Sequence, residues 1–144
     1  LVAGQITDDT ELALALARSL TGKKTFDLED IGQGYLSWYN SKPVDIGRTT
    51  ELAFYEAKSA AVVLKRASKH CQTSLSNGCL MRISPLAIAS VKWDDNTTVE
   101  TAKAKCMLTN PNPIAQDAVA AYVSLVRALI QTGSLEVSFL AAVL

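Results

Sequence analysis

The chain has 144 residues, of which 49% are hydrophobic and 6% aromatic, and its 14 basic side chains balance its 14 acidic ones. That length supports one domain with a buried core. The balanced charge, with no basic run and no acidic tail, argues against a nucleic-acid footprint or a charged interaction arm. The apolar stretches read as too short to span a bilayer.

Cys71, Cys79 and Cys106 are odd in number and lack Cys-x-x-Cys spacing. They read as reduced thiols, which predicts a cytoplasmic protein. The lone His70 argues against a zinc site of the usual kind. Its place beside Cys71 does not give the geometry of a nucleophile and its base. Leu1 has no basic flank or cleavage pattern, so no signal peptide is expected. The apolar starts and ends, Leu1-Val2-Ala3 and Phe139 to Leu144, predict a piece of a longer chain. Such ends also make self-association plausible if the chain exists alone.

Helices are predicted throughout, with no strand. Leu12, Ala13, Leu16, Ala17 and Leu20 recur at helical spacing, which predicts a first helix from Asp8 to Leu20, stopped at Gly22. A second runs from Asp27 to Asn40, with Ile31, Tyr35 and Trp38 on one face. After a loop through Pro43 and Gly47, Thr49 or Thr50 caps a long helix to about Ser68. Its core face holds Leu52, Tyr55, Ser59, Val62 and Val63, with Glu56 and Lys65 solvated. A polar loop, Gln72 to Gly78, leads to a helix from Cys79 or Leu80 towards Ser90, with Pro85 in its first turns or kinking it. Thr97 or Thr98 caps a short helix to about Met107. Past the rigid turn Thr109 to Pro113, the residues Ala115, Ala118, Val119, Tyr122, Val126, Leu129 and Ile130 mark an amphipathic helix stopped by Gly133. Ser134 caps a last, all-round apolar helix.

The chemistry concentrates at Thr7-Asp8-Asp9-Thr10, at the entrance of the first helix. Two readings are open there. Asp8 is a good N-cap with Glu11 three residues on, and first-turn carboxylates suit the helix dipole. Alternatively, adjacent carboxylates that diverge by about 100° can serve neighbouring hard cations. Ser76-Asn77-Gly78 is either an ordinary turn or a place where backbone approaches a ligand closely. Arg82 either pairs with an acidic neighbour or reaches a phosphate. Asp45 reads as a loop or cap residue, and Asp117 as a first-turn carboxylate.

Together, Gly4 to Glu11, Asp45-Ile46-Gly47 with Thr49-Thr50, Ser76 to Arg82, and Thr109 to Pro113 leading to Asp117-Ala118 and Tyr122 resemble the ADP-ribosylglycohydrolase family over residues 4 to 133. The resemblance implies an all-α, compact orthogonal multi-helix bundle, here a single domain over 1–144 that is incomplete at both ends. It implies two Mg²⁺ or Mn²⁺ ions in a central cleft, with Thr7, Asp8 and Asp9 as metal ligands. Asn77, Gly78 and Asn110 would contact substrate, and backbone N–H groups after the Asn-Gly turn would meet a phosphate. The reaction implied is hydrolysis of the bond between ADP-ribose C1″ and a modified protein side chain or small molecule. No nucleic-acid or membrane partner is implied. The family commonly has Thr-His where this chain has Thr109-Asn110. It also places an acidic residue upstream of the first motif and an Asp-x-Asp-Thr motif downstream, whereas only Asp117 and Glu136 are acidic here after Thr109. By that count the isolated chain is expected to bind metal weakly and to turn over poorly. A non-catalytic, structural or ADP-ribose-binding relative is the alternative, and a Mg²⁺-dependent hydrolase of another substrate is a third.

Overall fold

Residues 3–23 and 25–136 are described by a computed structural model. Among them the chain is all-α, with eight helices and no strand. In order these are α1 (Asp8–Leu20), α2 (Leu28–Asn40), α3 (Arg48–Phe54), α4 (Ala60–His70), α5 (Gly78–Met81), α6 (Ser84–Ala89), α7 (Asp95–Cys106) and α8 (Pro113–Thr132), with a 3₁₀ turn at Ser90–Lys92. The segment expected as a last helix lies, beyond Glu136, outside the described residues.

The apolar stripes predicted from periodicity form the core. Leu12 and Leu16 of α1 are fully buried, as are Ile31 and Tyr35 of α2. Helix α1 lies between α2 and α6, while α8 backs α5, α6 and α7. Helices α2 and α4 meet at a point that admits no side chain on α2. A Cβ on Gly32 would lie 2.3 Å from the Ala60 Cβ and 3.1 Å from its Cα.

Where one long helix was predicted from Thr49 or Thr50 to Ser68, the chain breaks into α3 and α4. Glu56 takes a left-handed conformation (φ 52°), and the Ser59 hydroxyl restarts the helix by accepting from Val62 N at 3.3 Å. The break lets Phe54 enter the core beside Tyr35 and Tyr39 while Ala60 reaches Gly32. It also rotates the second half, so Tyr55 (51% exposed) and Val62 (39% exposed) leave the predicted core face.

Pro85 divides the next predicted helix rather than kinking it. It occupies the first turn of α6, because a proline there cannot donate a helical hydrogen bond and its ring would clash with the carbonyl four residues back. The break frees Arg82 and Ile83 to turn inward, where both are buried. Asp94, not Thr97 or Thr98, caps α7. Its carboxylate accepts from Thr97 N at 2.8 Å and from Thr97 Oγ1 at 2.6 Å. Thr98 turns inward and is fully buried.

Helix α8 starts at the Asn112 cap and ends at Gly133 (φ 69°), as its turn residues predict. Its core stripe is Ala115, Val119, Val123 and Ala128, so the predicted Leu129 and Ile130 lie more exposed. This 20-residue helix, with a mean hydropathy of 1.3 over its most apolar window, is long and apolar enough to cross a membrane by composition alone. That corrects the expectation that every apolar stretch is too short. Here it packs against α7, and Asp117 pairs with Lys103 of that helix at 2.9 Å.

Candidate functional site

The first motif does not cap α1 in the predicted way. Thr7 is the N-cap residue, with no side-chain cap hydrogen bond. The Asp8 carboxylate reaches across instead, accepting from the backbone N–H of Gly47 at 3.2 Å. Glu11, expected to complete a capping box, accepts from Trp38 Nε1 at 2.6 Å. The acids at this helix entrance therefore face tertiary partners, and Asp8 is tied to the 45–47 loop.

Asp9 is half-buried in a crowd of like charge. Burial, followed by Asp8 and Asp45, pushes its carboxyl above its ordinary value, while Arg82 opposes them. Asp45, read from sequence as a loop residue, thus joins the acidic edge. The Asp45-Ile46-Gly47 pattern stands out in the sequence, but its place beside Asp9 depends on the loop folding back onto α1.

Arg82 ties the segments together. It is 1% exposed and takes neither predicted role, since its guanidinium binds hydroxyls rather than an acid or an exposed anion. Nη2 donates to Thr109 Oγ1 at 2.6 Å and Nη1 to Thr50 Oγ1 at 3.4 Å, the second bond being long. The guanidinium carbon sits 5.3 Å from the centre of the Tyr35 ring. A Cβ on Gly78 would come within 3.8 Å of Nη1. Arg82 thus lies beside the Asn77–Gly78 turn and close enough to Asp9 to act on its charge. Its Nε, like the Tyr35 hydroxyl, is buried with no hydrogen-bond partner.

Asn110 is 1% exposed and both ends of its amide bind protein. Nδ2 donates to the Ser76 carbonyl at 2.9 Å and to Ser76 Oγ at 3.0 Å, and Oδ1 accepts from Thr109 Oγ1 at 2.7 Å. Thr49, Ser74 and Ser76 add a hydroxyl cluster that joins the start of α3 to the same turn, with Thr49 Oγ1 2.8 Å from Ser74 Oγ and 3.1 Å from Ser76 Oγ. The turn is thereby held from two sides, with Asn77 itself exposed. Helix α5 behind it has four residues, too few for a full helix dipole. Asp117 lies outside this group, paired with Lys103.

Sequence reasoning missed Lys105. It is fully buried in α7, its Nζ 5.6 Å from the Tyr35 ring centre. Burial, reinforced by Arg82, drives its pKa well below the ordinary lysine value. An open cavity of about 770 Å³ lies away from all of these groups, lined by Asn40, Glu56, Ala57 and Lys58 at the break between α3 and α4.

The oxygen donors at Thr7, Asp8 and Asp9 suit a hard divalent cation by their chemistry. Burial is the larger cause of the raised Asp9 pKa, and the repulsion from Asp8 and Asp45 that adds to it is what a cation would relieve. Their number does not complete a coordination shell, because no group of three or more acidic, histidine or cysteine side chains is arranged to hold a metal among the described residues.

A 38% identity over 88 residues links the chain to the ADP-ribosyl-[dinitrogen reductase] glycohydrolase of Rhodospirillum rubrum, covering 61% of this chain and 29% of that protein. A protein of Acanthamoeba polyphaga mimivirus, assigned by name as an ADP-ribosyl glycohydrolase, is 40% identical over 80 residues, covering 56% of this chain and 24% of its own length. The matched stretches therefore cover less than a third of the length of either relative. The sequence model of the ADP-ribosylglycohydrolase family matches residues 1–144 in full. With the acidic edge at α1 and the Asn-Gly turn held beside it by Arg82 and Asn110, that match places the chain in the ADP-ribosylglycohydrolase family.

Proposed function

We propose that this chain carries part of the site of a metal-dependent hydrolase. The bond cleaved joins ADP-ribose C1″ to a modified protein side chain or a small molecule. The observation that carries the reading is the meeting of two sequence motifs at Arg82, which adjoins Gly78 and acts on the charge of Asp9. Family membership and the names of the two relatives support the same reaction class.

Thr7, Asp8 and Asp9 would hold Mg²⁺ or Mn²⁺. The bound ions supply Lewis acidity and lower the pKa of a water molecule. In the hydrolysis, a water oxygen bonds to C1″, the glycosidic bond breaks, and a proton returns to the departing group. The chain's own residues act by placement. Asp8 anchors the 45–47 loop through Gly47, so the acidic edge keeps its shape. Asn77 and Gly78 border the sugar and diphosphate. Asn110 holds that turn through Ser76. As a neutral amide it exchanges no proton at physiological pH, so it is a positioning residue here.

A second reading has its own support. The amide of Asn110 is turned inward and the carboxylate set is sparse, as in a relative that binds ADP-ribose without cleaving it. Release of ADP-ribose from a modified substrate by the intact protein, with Mg²⁺ and with a chelator, separates the two. Cleavage predicts metal-dependent release that falls at least a hundredfold in Asp9→Ala. Binding of ADP-ribose with no release would overturn the hydrolase in favour of the binding protein. The three free, buried thiols support a reducing, cytoplasmic setting.

A further inference from the structure

Cys79 lies in the Ser76–Arg82 motif and Cys106 three residues before Thr109, yet their sulfurs are 3.3 Å apart, and the Cys106 thiol is shared between Cys79 and the Asn110 carbonyl, which is 3.2 Å away. Cys79 is the second residue of α5, just after the Asn77–Gly78 turn, and Cys106 closes α7 before Thr109–Asn110. Both are at most 1% exposed. Against the burial that opposes ionisation, the hydrogen bond from Cys106, aided by Lys105 and Arg82, brings the Cys79 thiol down to about 7. The same contact pushes Cys106 far up, so it stays a thiol. The contact thus favours ionisation of one sulfur while its neighbour keeps the proton. Cys71 is the internal control. It is buried but less deeply, its pKa is raised by burial, and its thiol donates to the Thr49 carbonyl rather than to sulfur.

We propose that Cys79 and Cys106 are an oxidation site, converted by a peroxide into a disulfide that ties the Asn77–Gly78 turn to the Thr109–Asn110 turn. The Cys79 thiolate attacks one peroxide oxygen. The S–O bond forms and the O–O bond breaks, and the second oxygen leaves as hydroxide and takes a proton to become water. The sulfur of Cys106 then attacks Cys79. The S–S bond forms, the S–O bond breaks, and the hydroxyl leaves with the Cys106 proton as a second water. Closing the pair to a bond of roughly 2.05 Å needs the sulfurs to approach by about 1.3 Å. The one-turn helix α5 can supply that movement, and its local opening admits a molecule as small as hydrogen peroxide.

The test is thiol mapping of the intact native protein treated with hydrogen peroxide, alkylated and digested without reductant. The expected product is one linked Cys79–Cys106 peptide pair, lighter by two hydrogen atoms and released by dithiothreitol, with Cys71 still alkylated. The Cys71→Ala protein is expected to form the same link. Retention of all three thiols, oxidation of Cys71 as fast as Cys79, or a sulfinic acid on Cys79 with no link to Cys106 would each overturn the proposal. A further consequence rests on the hydrolase reading above, namely that the link slows ADP-ribose release at least tenfold and dithiothreitol restores it. Unchanged release from the linked protein would overturn that consequence. Absence of release from the reduced protein would be a failure of the hydrolase reading, and the peptide map would still score the link.

Discussion

Arg82 donates to Thr109 Oγ1 at 2.6 Å inside the core, with no acidic partner among the described ion pairs. A buried guanidinium is costly unless its hydrogen bonds are made. Thr109 passes the constraint to Asn110, and Asn110 passes it to Ser76. The chain of contacts thus runs from a buried charge to the turn that would face a ligand.

Removing that charge should loosen the fold as well as the site. Arg82→Met leaves the Thr109 and Thr50 hydroxyls without their donor, and a stability loss of about 2–3 kcal/mol follows from the loss of buried charge-assisted hydrogen bonds. Urea unfolding of both proteins measures it. A loss below about 0.5 kcal/mol, the scale of an ordinary surface substitution, would contradict the role given to Arg82.

Gly32 makes a purely steric prediction. The added Cβ of Gly32→Ala would meet Ala60 at 2.3 Å, too close for the backbone of α4 to remain in place. Overpacking of this kind is destabilising by about 1–3 kcal/mol, offset by up to about 1 kcal/mol of helix propensity. Adding Ala60→Gly should recover the steric part. A melting temperature for Gly32→Ala at or above that of the wild type would mean that α2 and α4 are not this close.

Asp9 carries a pH signature with a definite sign. Its folded pKa is raised above 3.8, so the folded state binds the proton more tightly than the unfolded chain. Its contribution therefore opposes folding at neutral pH. The penalty fades as pH falls through the raised value towards 3.8 and is gone below it. Asp9→Asn should melt higher than the wild type at pH 7 in chelator, and the difference should vanish at acid pH. A variant that melts lower at neutral pH would show that the carboxylate is stabilised by partners rather than strained by its neighbours.

Much of the fold is legible from periodicity and turn chemistry. Helix α1 runs over the predicted residues because its apolar spacing is uninterrupted. Helix α8 begins at Asn112-Pro113 and ends at Gly133 because those residues have few other uses. The break at Glu56 is not legible, since no proline or glycine marks it. It exists because Phe54 and Ala60 each find a partner that one continuous helix could not offer both. The motifs around Asp8, Asn77 and Thr109 stand out as residue patterns, but their connection does not. It depends on the direction of Arg82, which follows from where Pro85 interrupts the backbone. Lys105 escapes notice for a related reason. A lysine in a helix reads as solvated, and only packing under Tyr35 makes it a core residue.

The proposed site needs Asp8 and Asp9 to face a divalent cation, and calorimetric titration of the intact protein with Mn²⁺ tests that most directly. Saturable binding is predicted, weakened at least tenfold in Asp8→Ala and in Asp9→Ala while both variants keep the wild-type helical circular dichroism. Binding of undiminished affinity in either folded variant would contradict it.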